Sequence, residues 1–281
     1  DRAHFRSYFE DQLYQGVTFA PLPECNDASQ VTTDEALGLL RAAFQQGAPN
    51  GDPIGAVIVE PVQGRAGVRI PPDGFMAALS DVAIEEGVMV IADEIFTGLG
   101  RCGSMLASEQ LGLRPDIVCL GKILGGGLPL SACLSSRSVL SAWPENDGEA
   151  IHTNTFLGHP LSCATALAVL DVLEHLGVPE CARALGSQLL SELQESLKDT
   201  EKVLEVRGCG LMIGIELVTA DGSPWKGGAV RVAEAALGQG LILLPAGEHG
   251  HVVELTPSAF LSENQVAHSV AVLSSIIQAI H

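Results

Sequence analysis

The chain has 281 residues, 47% hydrophobic and 17% charged, a folded composition with room for about two domains, which excludes a disordered chain and a disulfide-stapled miniprotein. Fifteen basic against 34 acidic residues leave a formal charge of −19, a field that repels phosphate backbones and anionic lipid, so nucleic-acid and membrane-surface binding are set aside. The seven cysteines (Cys25, Cys102, Cys119, Cys133, Cys163, Cys181 and Cys209) are odd in number and never spaced CxxC, which points away from a disulfide framework or zinc knuckle and toward a reducing, cytoplasmic setting.

The opening residues, Asp1-Arg2-Ala3-His4-Phe5-Arg6, lack the apolar centre of a signal peptide, and no apolar run reaches the roughly 18 residues of a membrane span. With no initiator methionine, the chain is expected to lack the beginning of a longer protein. Four near-continuous apolar runs follow: 54–59 (IGAVIV), 88–92 (VMVIA), 117–120 (IVCL) and 130–134 (LSACL). They read as strands buried on both faces. Between the first two, 72–86 reads as a helix with Phe75, Met76, Leu79, Val82 and Ala83 on one side and Gly87 at its end. Helices are predicted over 160–176 and 179–197, each starting at a proline, with Gly177 between them. Beyond Lys198 the texture changes to strands over 203–206, 211–218, 241–244 and 252–255, with helices over 229–237 and 262–280. The pattern predicts an α/β fold: a large domain over 1–176 with a mostly parallel sheet, and a small C-terminal α+β domain over 177–281.

Ligands of open α/β sheets collect at the carboxyl ends of the strands. Two of those ends carry opposite charges: 88–92 runs into Asp93-Glu94, and 117–120 runs into Gly121-Lys122 followed by Gly125-Gly126-Gly127. A lysine at a buried strand end is desolvated toward the neutral amine that attacks a carbonyl; equally, it can snorkel outward while the glycines turn the chain. Asp93 can cap a turn, or it can face a pyridine nitrogen and favour the protonated ring.

These residues carry a resemblance. Glu60-Pro61-Val62-Gln63-Gly64, Ile91-Ala92-Asp93-Glu94-Ile95-Phe96-Thr97-Gly98, Gly100-Arg101, Pro115-Asp116-Ile117 and Leu120-Gly121-Lys122 stand in the order and spacing of the class III pyridoxal 5′-phosphate-dependent aminotransferases. His152-Thr153-Asn154-Thr155-Phe156-Leu157-Gly158-His159-Pro160 continues the likeness, and Arg207-Gly208-Cys209-Gly210-Leu211-Met212-Ile213-Gly214 does so more weakly. The resemblance implies fold type I, pyridoxal phosphate as cofactor, and amino transfer between an amine or amino acid and a keto acid by a ping-pong Schiff-base mechanism. It implies that Lys122 holds the cofactor and shuttles a proton, Asp93 pairs with the pyridine nitrogen, and Ile95 packs beneath the ring. Thr155 would bind the phosphate of the neighbouring subunit's cofactor, so the expected assembly is a homodimer with shared active sites.

Rival motifs are weak. Gly98-Leu99-Gly100-Arg101-Cys102-Gly103 spells GxGxxG but starts several residues after its strand. His249 and His251 form an HxH among glycines, read as an exposed loop rather than a metal site. No GxSxG elbow is present.

Three departures from the family pattern bear on function. Arg65 stands where many relatives that act on ω-amino acids have glutamate, and Glu254 aligns where they have arginine. If the two pair, the charges are swapped and Arg65 would grip a substrate carboxylate; if not, they are unrelated surface charges. Phe96 replaces a glutamine found in some relatives near the cofactor's phenolic oxygen, which suggests a different substrate wall. The glycine-rich phosphate turn and ring-stacking aromatic of the family's amino-terminal portion are not recognisable before Glu60. The rival readings are a racemase, aminomutase or decarboxylase on the same scaffold, or a non-catalytic truncated homologue or subunit.

Overall fold

The computed structural model describes residues 6–24, 31–143, 148 and 152–280; Cys25 and the first five residues lie outside them. The first element, α1 (Thr33–Gln46), begins at a capping box in which the Thr32 hydroxyl accepts from the Glu35 amide and the Glu35 carboxylate accepts from the Thr32 amide. This exchange satisfies two donors at the helix start. Its buried residues Ala36 and Leu40 pack on Phe75, Met76 and Leu79 of α2 (Phe75–Glu86). Gly74 and Gly87, both at left-handed φ, bound α2, so the helix starts three residues later than Pro72, where the sequence places it.

Strands β1 (Ala56–Val59), β2 (Met89–Asp93) and β3 (Ile117–Leu120) are parallel neighbours, and β4 (Ala132–Ser135) closes the sheet antiparallel to β3. Val57, Val59, Val90 and Ala92 turn to the α1/α2 core. The other face departs from the expectation of burial on both sides. The register sets Ala56 beside Met89, Ile58 beside Ile91 and Asp93 beside Cys119, and on this face Ile58 is 64% exposed. No layer of this chain covers it among the described residues, although its strands are apolar on both sides. Two short helices, α3 (Ala107–Leu111) and α4 (Arg137–Leu140), lie in the connections.

Helix α5 (Pro160–His175) leads through Gly177, at φ +55, into α6 (Val178–Leu197). From there a second sheet forms, entirely antiparallel, in the order β5 (Val203–Cys209), β6 (Met212–Leu217), β8 (Val252–Leu255) and β7 (Leu244–Ala246). Helices α6, α7 (Gly228–Leu237) and α8 (Glu263–Ala279) pack on it around Leu189, Leu193, Ile213, Ile215, Leu273 and Ile277. The strand expected over 241–244 starts at Leu244 instead, because the Leu241 amide bonds to the Ala236 carbonyl and closes the end of α7. At the β5–β6 turn, Gly210 takes φ +54 and its carbonyl lies 2.1 Å from where a Cβ on Gly186 would stand. A side chain on Gly186 would force α6 off the hairpin.

Candidate active site

Asp93 ends β2, and Lys122 follows the neighbouring parallel strand β3. Asp93 closes β2, and its Oδ1 accepts from the Ile95 amide at 3.1 Å, leaving Oδ2 outside that bond. Lys122 follows β3 by two residues and opens a 3-10 turn. Its φ of +49 is a left-handed value that side chains rarely adopt, so the surrounding chain holds it there against a local cost.

Lys122 is exposed, the outward one of the two placements open to a lysine at a strand end. Its Nζ lies 4.5 Å from the centroid of the Phe96 ring, a cation–π distance. Phe96 is itself pinned, since a Cβ on Gly64 would stand 2.3 Å from its Cδ1. The Glu60-Pro61-Val62-Gln63-Gly64 motif thereby bears on the lysine through one aromatic ring. Ile95 packs against Gly121, whose added Cβ would meet Ile95 Cγ2 at 3.3 Å. Lys122, Ile95 and Phe96 line one cavity of about 470 Å³. Asp93 lines a second, of about 500 Å³, together with Glu60, Gln63 and Ile58. The turn between Asp93 and Phe96 is stiffened from below by Glu94, which is 1% exposed, bonds the Thr97 hydroxyl and accepts from the Ser108 amide at 2.6 Å.

Thr155 is exposed on the turn before α5, and among the described residues no side-chain hydrogen bond joins it to Lys122 or Asp93. Arg65 and Glu254 do meet: Nη1 stands 3.4 Å from Oε2, with the Glu254 side chain fully buried and that of Arg65 52% exposed. The Arg65 carbonyl also accepts from the Gly247 amide. The loop carrying Arg65 is a narrow hairpin closed by a bridge from Gln63 to Arg69, and it reaches from the parallel sheet to the antiparallel one.

Sequence reasoning missed a buried tie between β5 and the loop that carries Arg65. Arg207 is 8% exposed; it donates to the carbonyls of Gly67 and Val68 and pairs with Glu205 at 2.9 Å and Glu216 at 2.6 Å. Glu216 also faces His251 at 3.6 Å. Desolvation would raise the Glu216 carboxyl, but the His251 hydrogen bond and the Arg207 charge and hydrogen bond outweigh it and lower its pKa to about 2. His251 is thus a buried half of the HxH rather than an exposed loop residue. Its signal was available: it directly precedes the apolar run of β8. Among the described residues no cluster of His, Cys, Asp or Glu could hold a metal ion.

The GxGxxG run forms a turn, with Gly100 and Gly103 at positive φ packed against Val178 and Arg183. Its glycines allow close packing on α6.

Comparison with known proteins places these features in a wider setting. The family model described as "Aminotransferase class-III" matches residues 2–277. An acetylornithine aminotransferase of Methanothermobacter thermautotrophicus is 37% identical over 227 residues, 81% of this chain and 55% of the relative. A 4-aminobutyrate aminotransferase of Mycobacterium leprae is 36% identical over 276 residues, 96% of this chain and 60% of the relative. Among solved structures, an amine transaminase from an uncultivated Pseudomonas species, described in its PLP-bound form, superposes with a TM-score of 0.84 at 33% identity, covering 97% of this chain and 63% of that one. The chain therefore spans little more than half the length of the curated relatives it matches.

Proposed function

The chain belongs to the class-III aminotransferases, and from that premise we propose that it binds pyridoxal phosphate and transfers an amino group between an amine or amino acid and a keto acid. One observation carries the reading: a lysine and an aspartate at the carboxyl ends of adjacent parallel strands, with Ile95 between them. The residues fit the cofactor. Asp93 keeps one carboxylate oxygen outside its bond to Ile95, suited to hold a proton on a pyridine nitrogen, and the Lys122 amine is exposed for covalent attachment.

Pyridoxal phosphate supplies a carbonyl for amine exchange and an electron-accepting ring. With that group bound, Lys122 Nζ would hold it through the carbonyl and, once freed, would be the base that takes up and returns the substrate Cα proton. Asp93 would hold the proton on the pyridine nitrogen, Ile95 would support the ring, and Thr155 would bind the phosphate held by a neighbouring subunit. Phe96 forms a wall beside Lys122, and Arg65 is offered to a substrate carboxylate. The division into a cofactor domain over 1–176 and a small domain over 177–281 belongs to this reading, supported by α6 packing on the antiparallel sheet. So does a homodimer, supported by exposed Leu161 and Leu167 on α5 beside the Thr155 turn. A cytoplasmic setting is supported by the free described cysteines.

The test is spectroscopic first. Added pyridoxal phosphate should give a visible absorbance band, and borohydride should fix the cofactor to the Lys122 peptide; Lys122→Ala should abolish both. Absence of the band in the unaltered chain overturns cofactor binding and favours the non-catalytic reading. Turnover that consumes no keto acid in proportion to product would replace amino transfer with racemisation, an aminomutase reaction or decarboxylation.

A further inference from the structure

One row of the parallel sheet holds an arrangement that the amino-transfer chemistry does not use. Asp93 on β2 is in register with Cys119 on β3, and Cys119 is in register with Cys133 on β4. Register partners point to the same side of a sheet, here the side on which Ile58 is exposed. Cys133 is exposed and Cys119 partly so.

We infer that Cys119 and Cys133 form a redox-active dithiol that a hydroperoxide converts to a cross-strand disulfide beside Asp93. Directly opposed residues of antiparallel strands have Cα atoms about 4.5–5.5 Å apart, inside the span of roughly 4.4–6.8 Å that a disulfide bridges. The backbone therefore needs no rearrangement. The two side chains face each other across the strand pair, and Cys133 is near enough to perturb the Cys119 thiol. The other neighbouring pair, Cys102 and Cys209, is only 1% and 8% exposed and is shielded from oxidant.

The two sulfurs have different parts. Burial first, then the Cys133 and Asp93 charges and the Cys133 hydrogen bond, push the Cys119 thiol up, so it keeps its proton. Cys133, at the surface, meets the peroxide. Its sulfur attacks one peroxide oxygen as the thiolate, the O–O bond breaks, and the departing hydroxide (or alkoxide from an organic hydroperoxide) takes up the proton that the Cys133 thiol gave up, leaving as water or alcohol with Cys133 as a sulfenic acid. Cys119 Sγ then attacks the Cys133 sulfur: the S–S bond forms, the S–O bond breaks, and hydroxide leaves with the Cys119 proton as water. Two thiols are oxidised by two electrons and one peroxide is reduced. The bridge would fasten edge strand β4 to β3 three residues before Lys122.

The test stands apart from the proposed activity. The purified chain, fully reduced and then treated with stoichiometric hydrogen peroxide, should lose two free thiols of its seven and two hydrogen masses. Peptide mapping should show Cys119 joined to Cys133, and dithiothreitol should reverse it. Cys133→Ser should lose no thiols under the same dose. Cys119→Ser should leave a sulfenic acid on Cys133 that dimedone labels. A bridge between Cys102 and Cys209, or free thiols at Cys119 and Cys133 after the oxidant is consumed, overturns the inference. Mapping of the unaltered chain decides it even if a variant misfolds.

Discussion

At the scale of single residues, the site rests on a contact that joins a glycine to the lysine through one ring. Gly64 leaves no room for a methyl beneath Phe96, and Phe96 carries Lys122 Nζ over its face. Gly64→Ala is therefore expected to cost about 1–3 kcal/mol of overpacking, read as a lower urea midpoint, and to weaken pyridoxal phosphate uptake by moving the ring. Shrinking the ring in Gly64→Ala/Phe96→Leu should return most of the stability. If the double variant is no more stable than the single one, the strain is not at Phe96. Lys122 and Asp93 stand out in the sequence as opposite charges at the ends of apolar runs, but each also has a structural reading there, and it is the resemblance that singles out their roles. The partner of Phe96 does not stand out: nothing local to residues 94–98 says that a glycine thirty residues upstream lies under the ring.

Among the elements, strands and long helices were read within a few residues, because apolar runs and N-terminal prolines act locally. The bounds of Ile117–Leu120 follow directly from an apolar run ended by Gly121, and those of Val252–Leu255 from a β-branched run that stops short of Pro257. Helix α1 went unread although Thr32 and Glu35 spell its capping box, and the burial of the strands was misjudged because apolarity reports what a face can bury and not what this chain supplies to bury it. The tie between elements that no local pattern reveals is Arg207. It fastens β5 to the Gly67–Val68 turn, where Val68 is held at φ +53. Arg207→Ala strands Glu216 and two carbonyls and should cost about 3–5 kcal/mol, measured by denaturant unfolding at neutral pH.

The same cluster sets a pH dependence with a definite sign. The Glu216 carboxyl sits at about 2 in the folded chain against an ordinary 4.5, so its contribution is complete above about pH 4.5 and is lost as pH falls from there toward 2. Discounted for partial solvent screening, that contribution is of order 2 kcal/mol. The stability gap between the unaltered chain and Glu216→Gln should be constant from pH 7 to 5 and shrink through pH 4 to 3. A gap that stays constant down to pH 3 would mean that Glu216 is not held ionised by Arg207 and His251.

For the molecule as a whole, the Gln63–Arg69 hairpin joins the parallel sheet to the antiparallel one, and Arg65 with Glu254 is the point where structure and substrate would compete. A pair with a half-exposed arginine is worth little when both partners can be hydrated, but here the carboxylate is buried. Arg65→Ala removes one charged partner of that buried carboxylate and should destabilise by about 1–3 kcal/mol, while Arg65→Ala/Glu254→Gln should cost less than the sum of its parts. A coupling below about 0.5 kcal/mol would reduce the pair to a contact without energetic weight. The kinetic arm separates the two roles. If Arg65 also receives a keto-acid carboxylate, Arg65→Ala should raise the KM for that acid about tenfold, as losing one charged hydrogen bond would. Glu254→Gln should lower that KM by releasing the guanidinium from its internal rival. An unchanged KM in both, with the coupling intact, would leave Arg65 as a clasp between the sheets and place substrate selection elsewhere, with the cavity that Lys122 shares with Arg101 and Phe260 as the next region to vary.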